Sequence, residues 1–213
     1  MRNVAAELAQ RLLHIKAIKL NPKAPFTWAS GLRSPIYCDN RIVLSYPDHR
    51  RFVIQAFAEQ AASFAAADII AGVATAGIAH GALLAEQLDK PFIYVRSKAK
   101  GHGRQNQIEG ELQAGAKVLV IEDLISTGGS CLKAVEALQE AGAQISGVLA
   151  IFTYGLPKAT QAFTAAKVPY ATLTNYETLL QVAIEHQYID QAEQQTLSVW
   201  SEDPAAWSAT WQA

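Results

Sequence analysis

The run Val118-Leu119-Val120-Ile121-Glu122-Asp123-Leu124-Ile125-Ser126-Thr127-Gly128-Gly129-Ser130 holds the densest chemistry in the chain. Two adjacent carboxylates follow a short apolar strand, and small or hydroxyl residues then open a helix. Glycines let backbone N–H groups close around a phosphate, and the N-terminus of the following helix favours negative charge. Thr127 and Ser130 add hydroxyl donors. Carboxylates repel phosphate, so the natural partners of Glu122 and Asp123 are sugar hydroxyls or a hydrated Mg²⁺. One turn thus offers a hydroxyl-and-metal half and a phosphate half, the shape of a ribose 5-phosphate site. It is neither a Walker A loop, since no Gly-Lys-Ser/Thr follows, nor a dinucleotide GxGxxG. A plain Gly-rich turn with an acidic start would share the glycines but not the whole pattern.

A second turn, Gly72-Val73-Ala74-Thr75-Ala76-Gly77, is also small and hydroxyl-bearing at a strand end, as a pyrophosphate cradle requires. Taken alone it equally fits a helix packed closely on a sheet. The third feature is Arg96-Ser97-Lys98-Ala99-Lys100-Gly101-His102-Gly103-Arg104, which puts four fixed cations and a histidine into nine residues. A solvated basic loop has this composition too. Here it begins at a strand end on the same sheet edge as the phosphate turn, where a cationic loop can close over a polyanion and exclude water. The remaining histidines (His14, His49, His80 and His186) have no such surroundings and read as structural or exposed.

The elements that must position these groups read as an α/β protein. Val4, Leu8, Leu12 and Ile15 recur at helical spacing. Residues 25–41 alternate Pro, Gly and Ser with aromatics, which predicts extended chain and turns. Pro47 to Ala67 favours helix. Short apolar strands are expected at 68–73, 92–95, 118–121 and 145–152, with helices from about Ile78 to Leu88 and from the phosphate turn to Ala141. Continuous apolar strands separated by helices mean a parallel sheet covered on both faces. From Thr174 the chain looks helical, with Trp207 and Trp211 packing on the body.

With 213 residues, half of them apolar, the chain suits a single domain (1–213) with one large core. A formal net charge of -1 gives no bulk attraction for nucleic acid or anionic membrane. Cys38 and Cys131 form no CxxC and read as free thiols. The N-terminal segment is interrupted by charge and no run approaches the roughly 20 apolar residues of a membrane span, so a cytoplasmic protein is expected.

VLVIEDLISTGGS (118–130) resembles the phosphoribosyl pyrophosphate (PRPP) motif of type I phosphoribosyltransferases. RSKAKGHG (96–103) resembles the catalytic loop of that family's orotate branch, and FTWASGLRSPIYCDNR (26–41) its N-terminal signature. The resemblance implies the family's fold, a central mostly parallel sheet flanked by helices, with a small hood built partly from about 1–45. It implies conversion of orotate and PRPP to orotidine 5′-monophosphate and pyrophosphate in pyrimidine synthesis, with Mg²⁺ carried by PRPP and no direct protein ligand. It implies a homodimer whose loop 97–110 reaches the neighbouring site. Carried over by position, Lys100 and His102 are catalytic. Arg96, Lys100, His102, Glu122, Asp123, Leu124, Ile125, Ser126, Thr127, Gly128, Gly129 and Ser130 hold PRPP, Ser126 touches orotate, and Tyr37 is placed to stack on the base. Some members carry a lysine where this chain has Ala29 and an Arg-Lys pair where it has Arg96-Ser97. After the fourth strand some carry an arginine, where this chain has Phe152-Thr153-Tyr154-Gly155. A purine phosphoribosyltransferase would share the phosphate turn but not the N-terminal signature. A non-catalytic nucleic-acid regulator would need neither the acidic pair nor the loop cations.

Overall fold

The computed structural model describes residues 3–28, 30–98 and 107–211. Its centre is a six-stranded sheet, in spatial order β10(Tyr170–Asn175), β9(Gln144–Thr153), β8(Lys117–Ile125), β5(Ile69–Val73), β6(Phe92–Val95) and β7(Ile108–Glu109). Every neighbouring pair is parallel except β6 with β7. All five residues of β5 are buried, as an interior parallel strand covered on both faces requires.

Side chains of β8 alternate between two cores. Leu119 and Ile121 join α1(Val4–His14), α2(Pro47–Ala61) and α3(Ala76–Gln87) on one face, while Val118 and Val120 join α4(Gly129–Glu140) and α5(Pro157–Ala166) on the other. Helix α1 forms as its spacing predicts: Asn3 caps it by accepting from the Ala6 N–H, and Leu8 and Leu12 are buried. Helix α2 starts on Pro47 but stops at Ala61, six residues short of the expected end. Residues 25–41 are extended as expected. They form β2(Phe26–Thr27), β3(Arg33–Ser34) and β4(Ile36–Cys38), and β4 pairs with β1(Ile18–Leu20). A short 3-10 helix, Asn40–Ser45, follows.

Two expectations need correcting. Strand β8 does not end at Ile121 before the carboxylates. It runs to Ile125, because β9 continues beside it and pairs Glu122 with Ala150, Leu124 with Phe152 and Ile125 with Thr153. Nor is the chain helical from Thr174: Thr174 and Asn175 complete β10, and α6(Tyr176–Glu185) starts only after Asn175 caps it. Helices α7(Gln191–Glu202) and α8(Pro204–Ala209) close the chain, the first on a capping box between Asp190 and Glu193. Trp207 is buried, and Trp211 leans on it at 5.5 Å between ring centroids while staying exposed.

Strand β8 and the start of α3 come unusually close. A Cβ added to Gly77 would collide with the Ile121 carbonyl oxygen, a contact only backbone movement can relieve. Gly77→Ala is therefore expected to cost about 1–3 kcal/mol, read as a lower urea midpoint at unchanged slope. An unchanged midpoint would mean that α3 can tilt freely off the sheet.

Candidate active site

The C-terminal ends of β5 and β8 open into a cavity of about 310 Å³. Ala74, Thr75 and Ala76 line one side, and Glu122, Asp123, Leu124 and residues 126–131 line the other. Carboxyl ends of parallel strands are where open α/β sheets bind ligands. Two helices begin here, α3 after Thr75 and α4 after Gly128, and neither has a side-chain cap on its first N–H groups. Those donors remain available to an anion. Gly128 takes φ +81°, a left-handed conformation that glycine adopts without strain, and this turns β8 into α4. Thr127, Gly129 and Ser130 are exposed on the turn. The peptide joining Ala74 and Thr75 is cis.

The acidic wall has the opposite character. Glu122 is 5% exposed, and its Oε1 accepts from the Asp123 N–H at 3.0 Å. Burial, then the neighbouring Asp123 charge, pushes its carboxyl up to about 9. Burial pushes half-buried Asp123 up as well. Two carboxylates so close in a dry site cannot both ionise cheaply. Arg41, held by Asp39 at 2.7 Å, pulls Asp123 back toward its charged form.

Most of the expected residues meet here. Glu122, Asp123, Leu124, Ser126, Thr127, Gly128, Gly129 and Ser130 share the cavity. The Ile125 side chain instead turns into the core, while its carbonyl accepts from Thr153 Oγ1 at 2.9 Å. Arg96 lines an adjoining cavity of about 380 Å³ that shares Ala74 and Ser130 with the first. It leaves β6 with its N–H bonded to Gln107 O at 2.8 Å and its guanidinium 3.4 Å from Glu109. The basic loop therefore springs from the β6–β7 hairpin. Lys100 and His102, and the departure at Ala29, lie outside the described residues. Tyr37 is exposed on β4, its ring 5.7 Å from that of Phe26.

Tyr154, at the position where some relatives carry arginine, is buried. It stacks on Trp28 at 5.4 Å and meets Trp200 and Phe152 edge-on. Burial first, then the charges of Cys38 and Asp123, pushes its hydroxyl far above the ordinary tyrosine range. Cys131 is a buried free thiol on α4 and Cys38 a half-buried one on β4.

The residues resemble those of known enzymes over nearly the whole chain. A phosphoribosyl transferase domain matches residues 48–173. An orotate phosphoribosyltransferase of Bacteroides thetaiotaomicron is 55% identical over 210 residues, 98% of this chain and 99% of that one. One from Listeria monocytogenes is 52% identical over 206 residues, 96% and 99% respectively. The chain belongs to the orotate phosphoribosyltransferase family. The crystal structure of the Aeropyrum pernix orotate phosphoribosyltransferase superposes with a TM-score of 0.74 at 29% identity, covering 85% of this chain and 99% of that one. The type I phosphoribosyltransferase fold expected from the sequence is thus present. Among the described residues no helix is long and apolar enough to cross a membrane.

Two residues beside this orotate phosphoribosyltransferase site were not among those expected there, although Asn40 lies within the N-terminal signature. Asn40 is fully buried, and its Nδ2 donates to the Asp123 carbonyl at 2.7 Å. His80, on α3, is fully buried with neither ring nitrogen hydrogen-bonded. Burial holds it down to about 4, opposed only by the Asn40 main chain. The unfolded chain takes up this proton near 6.5 and the folded one near 4. The folded state therefore binds fewer protons in that window, and His80 removes stability as pH falls through it. Glu122 runs the other way: its contribution is fullest below 4.5 and is lost as pH rises toward 9. Relative to His80→Gln, the wild type is expected to lose up to roughly 3 kcal/mol of stability between pH 6.5 and 4. Urea unfolding at both ends of the window checks this. A constant difference would show that the protonated ring finds a partner or solvent.

Proposed function

We propose that this chain transfers the 5-phosphoribosyl group of PRPP to orotate, giving orotidine 5′-monophosphate and pyrophosphate in de novo pyrimidine synthesis. The observation that carries the reading is the cavity with a carboxylate pair, Glu122 buried and Asp123 half-buried, on one wall and two uncapped helix N-termini on the others. Ribose hydroxyls suit the first wall and phosphate groups the second. Glu122 and Asp123 bind the ribose hydroxyls. Residues 126–130, with the first turn of α4, hold the 5′-phosphate, and Leu124 and Ile125 complete the binding strand. The α3 N-terminus with Ala74 and Thr75 cradles pyrophosphate. Arg96, Lys100 and His102 close on it, and Ser126 and Tyr37 meet the base.

The reaction breaks the bond between ribose C1 and pyrophosphate, so the sugar turns positive as the leaving group gains negative charge. Groups that hold these changing charges more tightly in the transition state lower the barrier. The acidic pair, hydrogen-bonded to the ribose hydroxyls, holds the sugar in place while the bond breaks. Loop cations act on the pyrophosphate, and His102 holds it or donates a proton. Mg²⁺ fits as a passenger of the substrate. Burial favours the neutral form of Glu122, which weakens it as a ligand for a hard cation, and the substrate's own oxygens would supply the donors. Bound there, the ion neutralises charge on the leaving pyrophosphate.

The remaining parts of the reading concern assembly. Residues 1–213 form one catalytic domain with a hood built partly from about 1–45, and the protein works in the cytoplasm. It pairs with a second copy whose loop 97–110 reaches across to this site.

Loss of orotate absorbance that needs both PRPP and Mg²⁺ tests the reaction. No loss, with PRPP still bound, would move the base to a purine or the role to regulation. Lys100→Ala is expected to lower kcat by ~10²–10³, the usual cost of one electrostatic donor to the transition state, with a much smaller change in PRPP affinity. Unchanged turnover would remove Lys100 from the catalytic group.

A further inference from the structure

Strand β8 has two partners up to Ile121 and only one beyond it. Its pairing with β5 ends at Gly72 with Ile121, whereas its pairing with β9 continues to Ile125 with Thr153. The Ile121 carbonyl faces Gly77, on the edge that β5 covers. Two residues further along, the Asp123 carbonyl lies past the last β5 pair and Asp123 has no partner residue on β9. No strand remains there to satisfy it. Asn40 does so instead: its amide donates to the Asp123 carbonyl at 2.7 Å, from 83 residues away in sequence.

We propose that Asn40 is a positioning residue for the transfer reaction, standing in for the missing strand and fixing where the carboxylates of Glu122 and Asp123 meet the ribose. The inference rests on the function proposed above. Three observations support a built position. Asn40 is fully buried, its neighbour Asp39 caps the 3-10 helix that presents it, and His80 packs fully buried against its main chain. Its Oδ1 has no hydrogen-bond partner, so the amide is oriented through its donor end, toward the Asp123 carbonyl and the neighbouring Cys38 sulfur. The charged and titratable groups around it are Asp39 and Arg41 on the same helix, Glu122 and Asp123 on β8, His80 on α3 and Cys38 on β4.

Asn40→Ala removes the donor. It is expected to raise the KM for PRPP by about tenfold and lower kcat, with the KM for orotate within about twofold of wild type, since a lost buried hydrogen bond acts on the ribose end alone. Asn40→Asp is nearly isosteric and tests donation directly. Ionised, Asp at this position repels the carbonyl; protonated, it donates an O–H to it. Its kcat/KM for PRPP should therefore be low at pH 8.5 and recover toward wild type by pH 6, while Asn40→Ala stays low at both. Packing alone would give no such recovery.

The wild type is assayed in parallel, and PRPP titration calorimetry on all three proteins reads the same contact without turnover. An inactive wild type would sink the proposed reaction yet leave the calorimetry to judge Asn40. An active wild type with unchanged PRPP constants in Asn40→Ala, or no pH recovery in Asn40→Asp, would overturn the positioning role.

Discussion

The site depends on one mismatch of lengths: β8 runs four residues past its last pair with β5 and carries a carboxylate pair into the opening. If β8 stopped with β5, Glu122 and Asp123 would hang on a solvated turn with ordinary acidity. Because β9 escorts β8 to Ile125, the pair stays in strand geometry and Glu122 stays buried. Keeping β8 in place takes support from three directions. Gly77 lets α3 approach the strand, Asn40 satisfies its free edge, and Thr153 bonds the Ile125 carbonyl.

That geometry sets the electrostatics. Burial disfavours charge on the acidic pair, while the starts of α3 and α4, without side-chain caps, lie a few residues away in the same cavity. Both walls are unfavourable for a folded chain alone, and under the function proposed here both improve, since hydroxyls suit one and phosphate oxygens the other. A near-neutral protein can thus select a polyanionic substrate without bulk positive charge. The attraction is local and is built from backbone as much as from side chains.

How much of this the sequence disclosed follows from the range of each interaction. The β8 turn, the Gly-rich start of α4, the apolar strands and the opening helix are written in contiguous residues, and they were legible. The true end of β8 was not, because Glu122 and Asp123 look like turn residues and only their pairing with Ala150 and its neighbours makes them strand. Strand β10 escaped for a similar reason. Tyr170–Asn175 is an edge strand with two of six residues buried, too mixed for either periodicity. The roles of Asn40, although inside the N-terminal signature, and of His80 were hidden, since each acquires its meaning from a segment far along the chain.

The end of β9 shows how packing alone can hold a segment beside the site strand. Where some relatives place an arginine after β9, Tyr154 here is locked between Trp28 and Trp200, and Gly155 N–H bonds Thr153 Oγ1 at 3.0 Å. The same Thr153 hydroxyl donates to Ile125 at the end of β8, so the aromatic stack and the phosphate strand share one anchor. The C-terminal helices enter this arrangement as well. Trp200 of α7 meets both Trp28 and Tyr154, and Ser208 of α8 accepts from the Arg33 N–H at 2.8 Å. The N-terminal signature segment, the end of β9 and the tail therefore form one packed unit. A fixed charge buried here would demand a partner, whereas an aromatic stack demands only close packing. Tyr154 thus fills this corner by packing and brings no fixed charge to it.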